Sequence, residues 1–412
     1  MKFSTALTLL LLFLLPGTFL IVTLPYYGLA WLSSIIVYLK MFLLMTCIYF
    51  AIKYQHRASI SKTFKYFLLF YIVYHLFAFK DIFVSPAMPH YLMADVPLTS
   101  LELYRDFFIQ TSSVLLVGMY RRYINFKLLA KITPLVVFVL FFAYYSKVGF
   151  TTYGIVDVEE SSAIREEGYV VSFTLARFFA IAFFCHLAFG KNLFRDRELS
   201  EMAYIFISLC LAIGLILTIK RGPILSFLFT YLYCYFIKTD KSRLAVSVFI
   251  SAIVIFLFGN FLLDFVEANA SGLVERFLSI SSGGGSGRFG DSNSVYDVSL
   301  RQIAESPLFG SYFRILSGSF RGGYPHNFFL EMLMTFGIVI TCAFVPLFWR
   351  GIKLANQILK SGGCQALSAM CFIYIFCALM TSSSVFLKLE FWLFLSIVCS
   401  YKLNRKPKKW RR

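Results

Sequence analysis

DFVEANASGLVERFLSISSGGGSGRFGDSNSVYDVSLRQIAESPLFGSYFRILSGSFRGGYPHNFFLE, Asp264 to Glu331, is the one long polar interval in an otherwise apolar chain. On either side of it the sequence alternates apolar runs of helix-spanning length with short basic or polar connections. With 59% hydrophobic residues over 412 positions and a mean hydropathy of +0.75, the chain carries more apolar surface than a water-soluble core absorbs. A run of roughly 20 apolar residues is what a helix needs to cross the hydrocarbon of a bilayer. The reading is therefore an all-α polytopic membrane protein that keeps one large loop with short helices in water, and that acts through the loop.

About twelve spans follow from this rule, near 5–24, 30–52, 66–84, 99–120, 130–146, 169–189, 201–219, 222–238, 244–263, 327–349, 365–384 and 386–402. Residues 1–263 then hold the first nine, 264–326 the large loop, 327–402 the last three, and 403–412 a basic tail. The first run has a signal-like apolar core after Lys2 but no small-x-small cleavage site, so it reads as an uncleaved helix. Most of the 39 Lys and Arg fall in alternate connections, and the 147–168 connection is acidic through Asp157, Glu159, Glu160, Glu166 and Glu167. Positive charge gathers on the cytoplasmic side, which predicts both termini inside and the 264–326 loop outside. The net charge of +18 is thus spent on orientation, and the tail NRKPKKWRR reads as an anchor near anionic lipid, with no nucleic-acid partner. The nine cysteines all lie outside the large loop and form no Cys-x-x-Cys, so they read as packing residues.

The chemistry on offer is arginine, histidine and carboxylate. The loop carries Arg276, Arg288, Arg301, Arg314 and Arg321, with Arg221 nearby in a hairpin of two residues between spans. Converging guanidinium groups make a phosphate site, because the planar fork pairs two oxygens at once. The competing reading pairs them with the loop's own acids, Asp264, Glu267, Glu275, Asp291, Asp297 and Glu305. Gly283, Gly284, Gly285, Gly287 and Gly290 suit either an anion nest or a hinge. Asn293 to Glu305 reads as a short amphipathic helix with Val295, Val298, Leu300 and Ile303 on one side, stopping at Ser306-Pro307. Arg177 lies about 12 Å into its span at helical rise, where a charge normally faces a protein interior or wet cavity.

Tyr324-Pro325-His326-Asn327 opens the tenth span. The positive end of a helix dipole favours neutral imidazole, and neutral imidazole accepts a proton from an alcohol. Glu331, one turn further on, is placed to orient or replace that base. There is no Asp-x-Asp, no Walker motif, no Gly-x-Gly-x-x-Gly after a strand and no serine elbow. No cofactor or metal is implied, and the driving energy has to reside in the substrate.

KRGPILSF at 220–227, SGRFGDSNSVYDVSLRQIAESPLFG at 286–310 and YPHNFFLEMLMTFGIV at 324–339 resemble the bacterial O-antigen polymerase (Wzy) and O-antigen ligase superfamily of inner-membrane glycosyltransferases. Arg221, Arg288, Pro307, Gly310, His326, Asn327, Leu330 and Glu331 match its pattern, while Lys220 stands where the family commonly has Ser. The resemblance implies glycan transfer from undecaprenyl diphosphate to a sugar hydroxyl at the periplasmic face. It implies His326, Arg288 and Glu331 as catalytic residues. Arg221, Arg301, Arg321, Arg177, Asn327 and Tyr324 would hold the lipid-linked oligosaccharide or its diphosphate. A chain-length regulator and a flippase are the implied protein partners, beside the bilayer itself. Polymerase is the leading expectation, ligase the rival, and a flippase or transporter of lipid-linked oligosaccharide the alternative of another class.

Overall fold

The computed structural model describes residues 2–15, 24, 29–54, 58, 60–85, 92–93, 96–97, 100–148, 162–189, 197–218, 221–238, 294–318, 320–362, 365–381, 385 and 388–402. The ninth span expected at 244–263, the first thirty residues of the large loop with Arg288, and the tail 403–412 lie outside them. Twelve α-helices are described: α1 (Phe3–Leu14), α2 (Ala30–Lys53), α3 (Lys62–Val84), α4 (Ser100–Met119), α5 (Phe126–Val148), α6 (Ser162–Phe189), α7 (Arg197–Leu217), α8 (Arg221–Lys238), α9 (Val295–Glu305), α10 (Phe328–Ser361), α11 (Ala366–Thr381) and α12 (Leu389–Cys399). Between α3 and α4, β1 (Leu92–Met93) and β2 (Val96–Pro97) pair antiparallel, with Leu92 opposite Pro97.

Among the described residues, three helices are long and apolar enough to cross a membrane: Trp31–Lys53, Lys62–Val84 and Phe328–Ser361. Others carry shorter apolar stretches, among them Phe107–Met119, Leu175–Ala188 and Gly222–Ile237. α12 packs between α4 and α11, and α10 lies against α11 and α3. Lipid offers helices no hydrophobic drive to associate, so close approach of small residues and hydrogen bonds carry the packing. Gly118 on α4 faces Ser396 on α12 with no room for a Cβ, and Ser396 Oγ donates to Val114 O at 3.1 Å. Gly214 on α7 likewise makes room for the Phe179 ring of α6. At the centre Trp392 stacks on Phe70 at 5.4 Å and meets Tyr74 edge-on at 4.6 Å, tying α12 to α3.

α10 is not the single straight span expected at 327–349. At Gly337 the backbone leaves the helix (φ 65°, ψ −178°), so two helical pieces meet across a break. That conformation is open essentially to glycine alone. Several of the groups freed by the break find partners. Thr341 Oγ1 donates to Met332 O (3.0 Å) and Ser311 N to Met334 O (2.8 Å). Ile338 N and Val339 N donate to Pro307 O (2.8 Å) and Leu308 O (3.2 Å). The turn Pro307–Gly310 is thereby wedged into the helix. Gly310 (φ 69°) and Gly337 meet backbone to backbone, and a Cβ on either would come under 3.0 Å of the other's strand of main chain.

Candidate active site

One end of the bundle gathers the close of α3, the start of α10, the close of α11 and the start of α12, with the segment 294–327 lying over it. α9 begins where Ser294 Oγ accepts from Asp297 N at 3.2 Å, an N-cap of the usual kind. It ends at Glu305 before Ser306-Pro307, as expected. Its buried face is Val295, Val298, Ser299 and Gln302, whereas Leu300 is exposed, contrary to the expectation. Leu300 stands about 200° round the helix from Val298 at 100° per residue, so it falls on the opposite side.

Gln302 pins the chain on the far side of the Pro307–Gly310 turn. Its Nε2 donates to Ser311 Oγ (3.0 Å) and Arg314 O (2.9 Å), and its Oε1 accepts from Leu316 N (2.9 Å). The stretch 311–314 is laid on α3: Lys80 Nζ donates to Ser311 O (3.1 Å) and lies 4.6 Å from the Tyr312 ring centroid. Phe313 stacks on Tyr74 at 4.9 Å, and Arg314 Nε meets Asp81 Oδ2 at 3.0 Å with both side chains buried. Beyond it the chain folds back on itself, Ile315 N donating to Gly323 O (2.9 Å) and Gly322 N to Ile315 O (2.8 Å).

That fold-back delivers Tyr324-Pro325-His326-Asn327 to the head of α10. Asn327 is the N-cap: its Oδ1 accepts from Phe329 N (3.0 Å) and Leu330 N (3.2 Å), while its Nδ2 donates to Met380 O at the close of α11 (3.2 Å). His326, immediately before the cap, has φ 54°, and among the described residues it alone combines a side chain with positive φ. Such a residue is held there by its surroundings and is a pointer to function. The Tyr324 ring lies 4.4 Å from the imidazole. Glu331 is buried in the first turn of α10, and its Oε2 accepts from Val385 N at 3.0 Å; Trp392 Nε1 donates to Val385 O at 3.1 Å. A few residues on, Glu390 Oε1 lies 3.3 Å from Nη1 of Arg177, both buried.

The structure thus brings Tyr324, His326, Asn327 and Glu331 together. It separates the arginines. Arg301 sits on the exposed face of α9 with Nη2 2.7 Å from Asp297 Oδ2, the pairing with a loop acid that was the competing expectation. Arg321 is exposed at the fold-back turn, and Arg177 is engaged inside the bundle with Glu390. Arg314 is buried against an acid of α3, outside the loop altogether. Arg221 is the first residue of α8; its side chain, like Arg288, is outside the described residues. Sequence reasoning passed over Lys80, Asp81, Gln302 and Glu390. A charge pair near the end of an apolar helix, as in FAFKDIFV at 77–84, is itself the available signal, because an ionisable group there demands a partner.

Taken together, apolar helices of spanning length and a polar site at one end of the bundle define a membrane protein. Residues 206–345, from α7 through the break in α10, match the family model described as O-antigen ligase. The match supports the O-antigen polymerase and ligase superfamily, whose members are membrane glycosyltransferase-like enzymes. No curated protein and no solved structure matches the chain.

Proposed function

We propose that the chain is a surface-polysaccharide (O-antigen) polymerase of the bacterial inner membrane, joining undecaprenyl-diphosphate-linked repeat units at the periplasmic face. The observation that carries this reading is the strained His326, fixed beside Tyr324 at the head of α10 within the matched segment. The acceptor sugar's hydroxyl oxygen attacks the anomeric carbon of the donor glycan while His326 takes the hydroxyl proton. The bond from that carbon to the phosphate oxygen breaks, and the lipid diphosphate departs with the electron pair. Such a leaving group needs charge neutralisation rather than a proton, and Arg288 and Arg221 are the groups assigned to it. Glu331 orients the site by accepting from the backbone amide of Val385. Twelve spans, a periplasmic 264–326 loop, cytoplasmic termini, a chain-length regulator and a flippase as partners complete the reading.

The description of the matched family favours a second reading, a ligase delivering the finished glycan to lipid A-core. Deleting the gene separates them. Loss of a polymerase leaves lipopolysaccharide with single repeats, and loss of a ligase leaves polymer on undecaprenyl diphosphate. Purified protein given lipid-linked repeat units, with no nucleotide and with chelator, should build a ladder of longer glycans. Arg288→Ala or His326→Ala should abolish it at normal membrane abundance, and Arg221→Lys should fail where bidentate contact is needed. Absence of a ladder together with transbilayer movement of the lipid-linked oligosaccharide would instead mark a transporter.

A further inference from the structure

The break in α10 lies at a definite depth. Phe328–Ser361 has 34 residues, roughly 50 Å at 1.5 Å per residue, too long for a hydrocarbon core of about 30 Å. Its basic residues, Arg350, Lys353 and Lys360, all fall at the far end, while its one acid, Glu331, is in the first turn, so Trp349, exposed next to Arg350, marks one interface in the manner of interfacial aromatics. Counting back about 20 residues puts the other interface near Leu330. Gly337 is then about 10 Å inside the hydrocarbon. The Pro307–Gly310 turn is at the same depth, because it is hydrogen-bonded to Ile338 and Val339, and the next residue, Ser311, to Met334.

We propose that the Pro307–Gly310 turn is a re-entrant element seated in the outer leaflet, with Leu308 and Phe309 in contact with lipid acyl chains. Irregular backbone survives in hydrocarbon only when its polar groups are satisfied internally. Four of the turn's backbone groups are held in this way: Pro307 O and Leu308 O accept from Ile338 N and Val339 N, Gly310 N donates to Ser306 O (3.0 Å), and Ser306 Oγ donates to Gly310 O (2.8 Å). The side chains point the other way. Leu308 and Phe309 are 55% and 63% exposed, and they continue the exposed apolar face of α10 formed by Ile338, Val339, Val345 and Trp349. In water such a tip is a liability; against the same lipid that covers α10 it is the expected surface. The segment between α9 and the His326 site is on this account anchored in the membrane, not suspended above it.

Spin-label accessibility in lipid nanodiscs tests this. In a cysteine-free background checked for normal abundance, Phe309→Cys, Val345→Cys and Arg301→Cys are labelled singly. Collision with oxygen, which concentrates in hydrocarbon, is compared with collision with a water-soluble nickel chelate. The label at 309 should show an oxygen-to-nickel ratio several-fold above that at 301 and close to that at 345. A ratio at 309 equal to that at 301 would place the turn in water. Low accessibility to both probes would show protein covering it, whether another segment or a second copy. Either result overturns the proposal, and neither bears on the glycan ladder, so the membrane seat and the enzymatic reading fail independently.

Discussion

Gly337→Ala is the sharpest perturbation of the loop's seat. The native φ of 65° with ψ near 180° costs an alanine about 2 kcal/mol. The added Cβ would also fall under 3.0 Å of the Leu308 carbonyl group and the Phe309 amide, so the wedged turn must back out. Ile338 N→Pro307 O and Val339 N→Leu308 O are then lost, at about 1 kcal/mol each net. The sum, about 4 kcal/mol, is roughly a thousandfold in the docking equilibrium. Hydrogen exchange in nanodiscs reads this directly: protection of the Ser311, Ile338 and Val339 amides should fall by about that factor, since local opening sets their exchange. Laddering activity should fall with it while membrane abundance stays normal, because the helices packed on α10 are untouched. Gly351→Ala on the same helix is the control: there the Cβ meets only side-chain tips, the Phe372 ring at 3.3 Å and Leu395 Cδ1 at 3.5 Å, and protection should hardly change. Protection in Gly337→Ala within tenfold of the parent would refute the argument from strain and contact.

Asp81→Asn leaves the buried Arg314 guanidinium without its counter-charge and should lower the unfolding free energy by about 3 kcal/mol, with Asp81→Leu/Arg314→Met recovering most of it; denaturation of the purified variants decides, and an equal loss in the double variant contradicts the pairing. His326→Asn keeps a residue that tolerates positive φ, so exchange protection of 322–330 should persist while transfer falls by about 10²–10⁴, the usual worth of a general base. His326→Val, β-branched, should lose both. Glu331→Gln still offers Val385 N an acceptor and should keep transfer within about threefold, whereas Glu331→Leu should lower thermal stability by about 1–3 kcal/mol for the orphaned amide; loss of activity in a fully stable Gln variant would make the carboxylate a reacting group.

Helix limits were legible wherever apolar length and flanking charge agree. The spans read at 30–52 and 222–238 are Ala30–Lys53 and Arg221–Lys238, and the loop helix stops where Ser306-Pro307 said it would. The break at Gly337 was not legible, because MTFGIVIT continues the apolar run without interruption and a lone glycine in a helix is ordinarily tolerated. Its signature is spread over two places: Gly337 and Gly310 each look unremarkable until the fold sets one against the other. Asp81 and Arg314 pose the same difficulty, since a partner 233 positions away leaves no local pattern. That Tyr324, His326 and Asn327 open a long helix was legible because a proline and an amide just before a long apolar run have a meaning that needs no tertiary context. The arginines had no such marker, and four of them went to four different surroundings.

Asn327 works with both ends of its amide. The carbonyl oxygen closes the first turn of α10 and the nitrogen reaches the Met380 carbonyl of α11. Ser, Thr and Asp would serve the first task about as well. None replaces the second: an ionised Asp turns a lone pair toward a carbonyl, and the hydroxyls are too short to span both. The dipeptide His326-Asn327 is therefore a rivet between two helices, and any relative sliding of α10 and α11 is transmitted straight to the imidazole.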